Sequence, residues 1–155
     1  MTYRLLLLGA AVLAVTALVL FGRERSSRPG IVADAIRTPG VLNPDVTPAT
    51  LATTICAHGW TRTVRPPTDY TNALKRRQMR AYGETGSPSD YQEDHLISLE
   101  LGGHPTDPRN LWPEPYPRAS QVDVLENELN GKVCSGELTL AEAQLQESGI
   151  KHTHG

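Results

Sequence analysis

The sequence is poor in aromatic residues and cysteine and has no excess of positive charge. Of its 155 residues, 5% are aromatic and two are Cys, and the formal net charge is -2. Nucleic-acid-binding domains are usually strongly basic, so the overall charge does not indicate one. With few aromatic residues but 13 Gly and 12 Pro, we expect one domain with a small, loop-rich core. Such a core often needs a disulfide or a metal ion for stability.

A long apolar run is present near the start of the chain. Residues 5–21 are apolar or small, with Arg4 before them and Arg23 and Arg25 after them. This pattern predicts a cleaved signal peptide or an N-terminal membrane anchor over residues 1–22. The rest of the chain is therefore expected outside the cytoplasm, as a secreted, periplasmic or membrane-anchored protein. Residues 23–46 are rich in Arg, Ser, Pro and Gly, which is typical of a flexible linker.

The two cysteines, Cys56 and Cys134, both follow this predicted export segment. A disulfide between them is the simplest interpretation in an oxidising compartment. Zinc binding is the weaker alternative, because neither cysteine belongs to a C-x-x-C pair.

Local patterns predict a folded domain over residues 47–149 and a disordered tail over residues 150–155. Proline at a first helical position, capping residues and alternating residues are the signals used. The expected elements are a helix starting at Thr47-Pro48, a strand from Trp60 to Arg65, a helix from Asp69 to Gly83, a helix from Ser120 to Cys134, and a last helix from Thr139 to Gly149.

The helix after Asp69 carries a basic segment, Lys75, Arg76, Arg77 and Arg80. A run of charges on a helix commonly does no more than face solvent. However, the positive charge of this chain is concentrated between residues 62 and 80, whereas its acidic residues follow later. A local basic surface of this kind can bind phosphates even on an acidic protein.

The stretch from Tyr91 to Pro115 holds polar residues that a folding core does not require. Asp94 and His95 are adjacent, and Asn110 follows a turn at Gly102-Gly103. A neutral His can take a proton from water near pH 7, and a carboxylate can hold a divalent metal ion. These residue types therefore suit the hydrolysis of a phosphodiester bond.

The same stretch, DHLISLELGG followed by NLWPEP, resembles the HNH (ββα-metal, or His-Me finger) endonuclease family. Segments such as TIC, GWT and RPP before it, and LEN and VCSG after it, extend the resemblance from Asn43 to Gln146. The resemblance implies an α+β fold with a small ββα-metal core and flanking helices. It also implies that His95 is the general base, that Asp94 is a metal ligand and that Asn110 braces the loop and helps to orient His95.

The further metal ligand of the family, on the helix after the hairpin, has no obvious counterpart. Asp123 and Asn127 are the candidates, and their alternative interpretations are a helix cap and a surface residue. The expected cofactor is one divalent ion, Mg²⁺ or Mn²⁺ before Zn²⁺ or Ni²⁺, with no small-molecule cofactor.

The sequence thus predicts a metal-dependent endonuclease acting on nucleic acid, DNA rather than RNA. The alternative is a non-catalytic module on the same scaffold that binds nucleic acid or another polyanion through its basic helix. The other charged residues near the site and the other histidines are expected on loops, on the surface or in the tail; they are Glu93, Glu100, Glu114, His58, His104, His152 and His154.

Overall fold

The computed structural model describes residues 31–154, so the predicted signal peptide or anchor lies outside the described residues. Within this range the fold is α+β, with four α-helices and one antiparallel two-stranded sheet. The helices are α1 (Trp60–Val64), α2 (Thr68–Tyr82), α3 (Arg118–Ser135) and α4 (Leu140–Thr153), and the strands are β1 (Tyr91–His95) and β2 (Leu111–Pro115).

The two strands form a hairpin in which Asp94 lies opposite Trp112 and His95 lies opposite Leu111. Helices α2 and α3 both pack against this hairpin. Trp112 is fully buried, and its ring lies 6.2 Å, centroid to centroid, from the ring of Tyr82 in α2. The strand order therefore places the end of β1, with Asp94 and His95, between these helices.

The main apolar core lies between the segment before α1, the loop after β1, and helices α3 and α4. Its buried members are Val46, Ile55, Ile97, Leu101, Leu129, Val133, Leu140 and Ala143. The predicted disulfide between Cys56 and Cys134 is confirmed, with the two Cα atoms 5.6 Å apart. Closing a loop of this length stabilises the fold by about 4–5 kcal/mol in the chain-entropy model.

The disulfide is consistent with an oxidising, extracytoplasmic location. Over residues 31–154, no helix has the length and apolar character that crossing a membrane requires.

Two of the predicted helices are confirmed, because their end signals are local. Gly83 ends α2 in the left-handed conformation, with φ +74°, as glycine does readily. At the start of α4, the Thr139 hydroxyl accepts a hydrogen bond from the N–H of Glu142, and the Glu142 carboxylate accepts one from the N–H of Thr139. This is the predicted capping box.

Two predicted elements before the hairpin are wrong. The stretch from Trp60 to Arg65, predicted as a strand, forms α1 instead. Trp60 and Val64 are four residues apart, so they share one face of a helix as well as they would share one face of a strand. The helix expected from Thr47 is only a 3₁₀ turn at Leu51–Thr53. The helix predicted from Ser120 to Cys134 is present as α3, but it begins at Arg118, so Ser120 does not cap it.

The predicted linker and tail are also corrected, because the two segments pack against each other. The N–H of Ala33 donates to the carbonyl of Lys151 over 2.9 Å, and both residues are buried. Residues 31–46 therefore belong to the folded unit, and only residues 23–30 of the linker lie outside the described range. At the other end, α4 continues to Thr153, beyond the predicted end at Gly149.

Candidate metal and catalytic site

His95 ends β1 with its side chain buried, and it is 7% exposed. Its Nε2 lies 3.0 Å from the carbonyl oxygen of Pro105. A carbonyl only accepts hydrogen bonds, so Nε2 carries the proton and the neutral ring has its lone pair on Nδ1. Burial lowers the pKa of His95 below its usual value, which favours this neutral form. The imidazole is therefore in the state that accepts a proton from water.

Asn110 holds the loop that supplies this carbonyl. Its Oδ1 accepts from the N–H of Ile97, and its Nδ2 donates to the carbonyls of Ile97 and His104. Gly103 makes this packing feasible, because a Cβ at this position would lie 1.7 Å from the Ile97 oxygen. The buried Asn110 side chain thus fixes the loop that runs from β1 to Pro105.

Asp94 is also buried, but its carboxylate has polar partners on both oxygens. Oδ1 accepts from Nε2 of Gln92 at 3.2 Å, and Oδ2 accepts from Nζ of Lys151 at 2.7 Å. Burial alone would raise the pKa of Asp94, but the positive charge and the hydrogen bond of Lys151 bring it below its usual value. Asp94 is consequently ionised, as a metal ligand has to be.

Three carboxylates converge near this point: Asp94 from β1, and Asp123 and Glu126 from α3. One oxygen from each lies within 4.8 Å of the others, a spacing that could hold a metal ion. Asp123 and Glu126 are three residues apart and so share one face of the helix. We call these three residues the acidic trio. All donors are oxygens, which suits Mg²⁺ or Mn²⁺ better than a thiophilic metal.

Of the two predicted candidates on α3, the structure brings only Asp123 to the trio. Asn127 is exposed, and its Nδ2 donates to the carbonyl of Asp123 over 2.6 Å. Glu126 takes the place next to Asp94 and was not predicted from the sequence. The signal available was the i, i+3 pair of acids on one helical face, Asp123 and Glu126.

Two cavities open beside His95, and both are lined by Arg65, Gln92, Asp94 and His95. The inner cavity, of about 50 Å³, also touches Asp123 and Glu126. It exceeds the roughly 30 Å³ that one water molecule occupies in the liquid.

The outer cavity is larger, about 260 Å³, and is lined in addition by residues at the start of α2, among them Thr68 and Thr71. An ion-sized space therefore adjoins a substrate-sized one, with His95 between them. Arg65 was not identified from the sequence, because its place depends on how α1 docks.

The side chains of the basic segment of α2 differ in their contacts. Nζ of Lys75 donates to the carbonyl of Tyr91 over 2.8 Å, and Nη1 of Arg80 donates to the carbonyl of Arg76 over 2.7 Å. Arg76, Arg77 and Arg80 are exposed. The four predicted phosphate-binding side chains are thus divided between a structural contact and open surface.

Two glutamates expected on the surface are largely buried. Both carboxylate oxygens of Glu93 are buried without a hydrogen-bond partner among residues 31–154, and burial raises its pKa to about 8. Burial and the neighbouring Asp94 raise the pKa of Glu114 to about 9, and its Oε1 lies 3.2 Å from Nε of Arg118. Glu93 lines the outer cavity, where its neutral form adds no charge that would repel a phosphate.

The remaining histidines take no part in the site. Nδ1 of His104 accepts from the N–H groups of Thr106 and Asp107, and so holds a turn. His152 lies 3.0 Å from the carbonyl oxygen of Thr38, and His58 is exposed. The contacts of His104 and His152 are structural.

Comparison of this chain with protein-family models, curated proteins and solved structures finds no significant match.

Proposed function

We propose that this protein is a metal-dependent nuclease that hydrolyses phosphodiester bonds in nucleic acid, with an HNH-like site. The observation that carries the proposal is the placement of His95 beside three carboxylates around one small cavity. The order of elements supports it, because the β1–β2 hairpin supplies Asp94 and His95 and the next helix, α3, supplies Asp123 and Glu126. The resemblance of the Tyr91–Pro115 stretch to HNH endonucleases points the same way.

The acidic trio would hold the metal ion. A bound Mg²⁺ or Mn²⁺ would supply positive charge that stabilises the phosphoryl oxygens and the leaving oxygen in the transition state. The residues fit such an ion, because the three oxygen donors lie within 4.8 Å of one another and Asp94 is ionised. Burial raises the pKa of Glu126 well above its usual value, and the charge of a bound ion would favour its ionised form.

His95 would act as general base. The Pro105 carbonyl holds its Nε2 proton and leaves Nδ1 to remove a proton from the attacking water. The water oxygen then forms a bond to phosphorus while the bond to the leaving oxygen breaks, and solvent returns a proton to that oxygen. Asn110 keeps the Pro105 loop in place and is a positioning residue.

Arg65 would bind a phosphate next to the one that is cleaved, because it is the positively charged side chain that lines both cavities. Arginine suits this task since its planar guanidinium donates two hydrogen bonds to a phosphate. DNA is the proposed substrate, and the non-catalytic alternative would bind a polyanion here without cleaving it.

The direct test is cleavage of supercoiled plasmid DNA by the purified chain with Mg²⁺ or Mn²⁺. We expect nicking that EDTA abolishes and that His95→Ala reduces by about 10²–10⁴-fold, the usual contribution of a general base. His58→Ala, which removes an exposed histidine outside the two cavities, is the matched control and should retain full activity.

The result that contradicts the proposal is a folded wild-type protein that cleaves neither DNA nor RNA with any common divalent ion. Salt-sensitive DNA binding in the same samples would then favour the non-catalytic module.

A further inference from the structure

Lys151, near the end of α4, has its ammonium group inside the protein and is fully buried. Its Nζ lies 2.7 Å from Oδ2 of Asp94, 2.7 Å from Oε1 of Glu126 and 3.2 Å from Oε1 of Glu147. It also donates to the carbonyl of His95 over 2.6 Å. The single charge therefore contacts β1, α3 and its own helix.

Two of these carboxylates, Asp94 and Glu126, belong to the acidic trio. Lys151 contacts one oxygen of each, and these two residues come from different elements, β1 and α3. Two carboxylates this close repel each other when both are ionised and buried. Burial and these neighbouring carboxylates hold the pKa of Glu126 well above its usual value. A cation between the two groups reduces that repulsion and sets the orientation of both. Lys151 does so without any metal ion.

Helix α4 is itself held in register at this point. Both oxygens of Glu147 lie 3.0 Å from the N–H of Ser98, in the loop after β1. Glu147 is one helical turn before Lys151 and pairs with it. The ammonium group is thus placed by a contact to the loop that directly follows Asp94 and His95.

Stability alone does not account for this arrangement. Removing a lysine and its carboxylates from water has a large desolvation cost, and a buried ion pair commonly stabilises a fold no more than apolar packing of the same volume. Burial lowers the pKa of a lysine, but the surrounding carboxylates raise that of Lys151 well above its usual value, so it remains charged.

We propose that Lys151 is a positioning residue, the fixed cation that holds Asp94 and Glu126 in place as ligands for the divalent ion. This inference rests on the proposed function for the role of the ion, but the contacts of Lys151 are independent of it. The direction of the change in divalent-ion affinity distinguishes a positioning role of Lys151 from a purely electrostatic one. Loss of a nearby positive charge by itself would tighten binding of a divalent cation, whereas loss of ligand orientation would weaken it.

The experiment compares wild type with Lys151→Ala, which leaves a space the size of propylammonium. By electron paramagnetic resonance of free Mn²⁺, we expect the variant to bind Mn²⁺ about 10–100-fold more weakly, as is usual when a group that orients metal ligands is removed. Propylammonium in the buffer should restore the affinity, and 1-propanol, similar in size but neutral, should not. Equal or tighter Mn²⁺ binding by Lys151→Ala would overturn the positioning role.

Thermal unfolding in EDTA gives a readout that does not involve metal. Breaking a buried pair leaves uncompensated charge, so Lys151→Ala should lower the unfolding midpoint by more than about 10 °C. Propylammonium, but not 1-propanol, should recover most of this loss. Rescue by both compounds, or an unchanged midpoint, would show that the fixed charge is not needed. Lys132→Ala, at an exposed ion pair with Glu128, is the matched control and should differ little from wild type.

Failure of the variant to fold and failure of wild type to bind Mn²⁺ have different meanings. If Lys151→Ala does not fold in EDTA, the double variant Lys151→Ala with Glu147→Gln removes one charge of each sign, and the same Mn²⁺ comparison is made on it. If wild type itself binds no Mn²⁺, the proposed metal site is wrong, while rescue of the midpoint by propylammonium still decides whether Lys151 is the fixed cation.

Discussion

The cluster around Lys151 and the basic segment of α2 both place charge next to β1, yet they differ in how that charge is held. Lys151 is fully buried and contacts three carboxylates, Asp94, Glu126 and Glu147. In the basic segment, Arg80 is exposed and donates to the backbone of its own helix. Charges that are fixed by several partners can orient ligands, whereas exposed charges mainly attract ions over a distance. The candidate site therefore uses the buried, paired charges around Lys151.

The largest predicted effect is the loss of Mn²⁺ affinity when Asp123, on α3, is replaced. Asp123→Asn should weaken Mn²⁺ binding at least about tenfold, because the trio loses one of its charged ligands. Asn127→Ala is the matched control on the same helix. Its side chain is exposed and its amide turns back to the Asp123 carbonyl, so its affinity should equal that of wild type. Calorimetric titration with Mn²⁺ measures both.

Equal losses in Asp123→Asn and Asn127→Ala would contradict the assignment of the helix face. So would a loss in Asn127→Ala alone, which would make Asn127 a metal ligand and exclude Asp123.

The second prediction compares Arg65, which lines the outer cavity, with Arg80 of the basic segment. Arg65→Gln should lower kcat/KM on DNA by about tenfold at low salt, and the salt dependence should become shallower by about one phosphate contact. Arg80→Gln, from the exposed part of the basic segment, should change kcat/KM by less than about twofold. Initial cleavage rates at several salt concentrations measure both variants.

A larger loss in Arg80→Gln than in Arg65→Gln would mean that the nucleic acid lies along α2 and not across the cavities. Mn²⁺ affinity serves as the control here. Arg80→Gln should leave it unchanged, and Arg65→Gln should not weaken it, because Arg65 is a positive charge beside the acidic trio and not a ligand.

The parts of the site that the sequence predicts are those encoded by neighbouring residues. Asp94 and His95 were identified because their types and adjacency suit one reaction, and Asn110 because it lies in the same motif. Their placement in the hairpin agrees with a short α+β unit. The same holds for Gly83 and the Thr139–Glu142 box, since each acts within one helical turn.

The parts that were not predicted depend on how distant segments dock. Lys151 lies in a polar C-terminal stretch, KHTHG, that resembles a tail, and its role exists only because α4 packs against β1 and residues 31–46. Glu126 was missed because an exposed acid and a ligand look alike until the helix face is known. One local signal was present for α4: Glu147 and Lys151 are an i, i+4 pair of opposite charge.

The smallest predicted effect tests whether His95 is a buried group, like Lys151, or an exposed one, like the arginines of α2. Burial disfavours the imidazolium form, so the pKa of His95 lies below the ordinary 6.5. As pH falls, a free histidine is half protonated at pH 6.5, whereas His95 is still mostly neutral and able to accept a proton. Single-turnover cleavage at saturating Mn²⁺ should therefore keep more than half of its plateau rate at pH 6.5. The pH at which the rate falls to half should lie below 6.5.

The same shift has a consequence for stability, and its sign follows from proton binding. Below pH 6.5 the unfolded chain binds a proton that the folded His95 does not, so the contribution of His95 falls as the pH falls. The unfolding midpoint of wild type should thus drop more between pH 7 and pH 5 than that of His95→Gln, which cannot titrate. A cleavage midpoint above pH 6.5, together with equal pH dependence of the two proteins, would mean that His95 is open to water. It would then resemble the exposed arginines of α2 more than the buried Lys151, and its orientation by the Pro105 carbonyl would not explain catalysis.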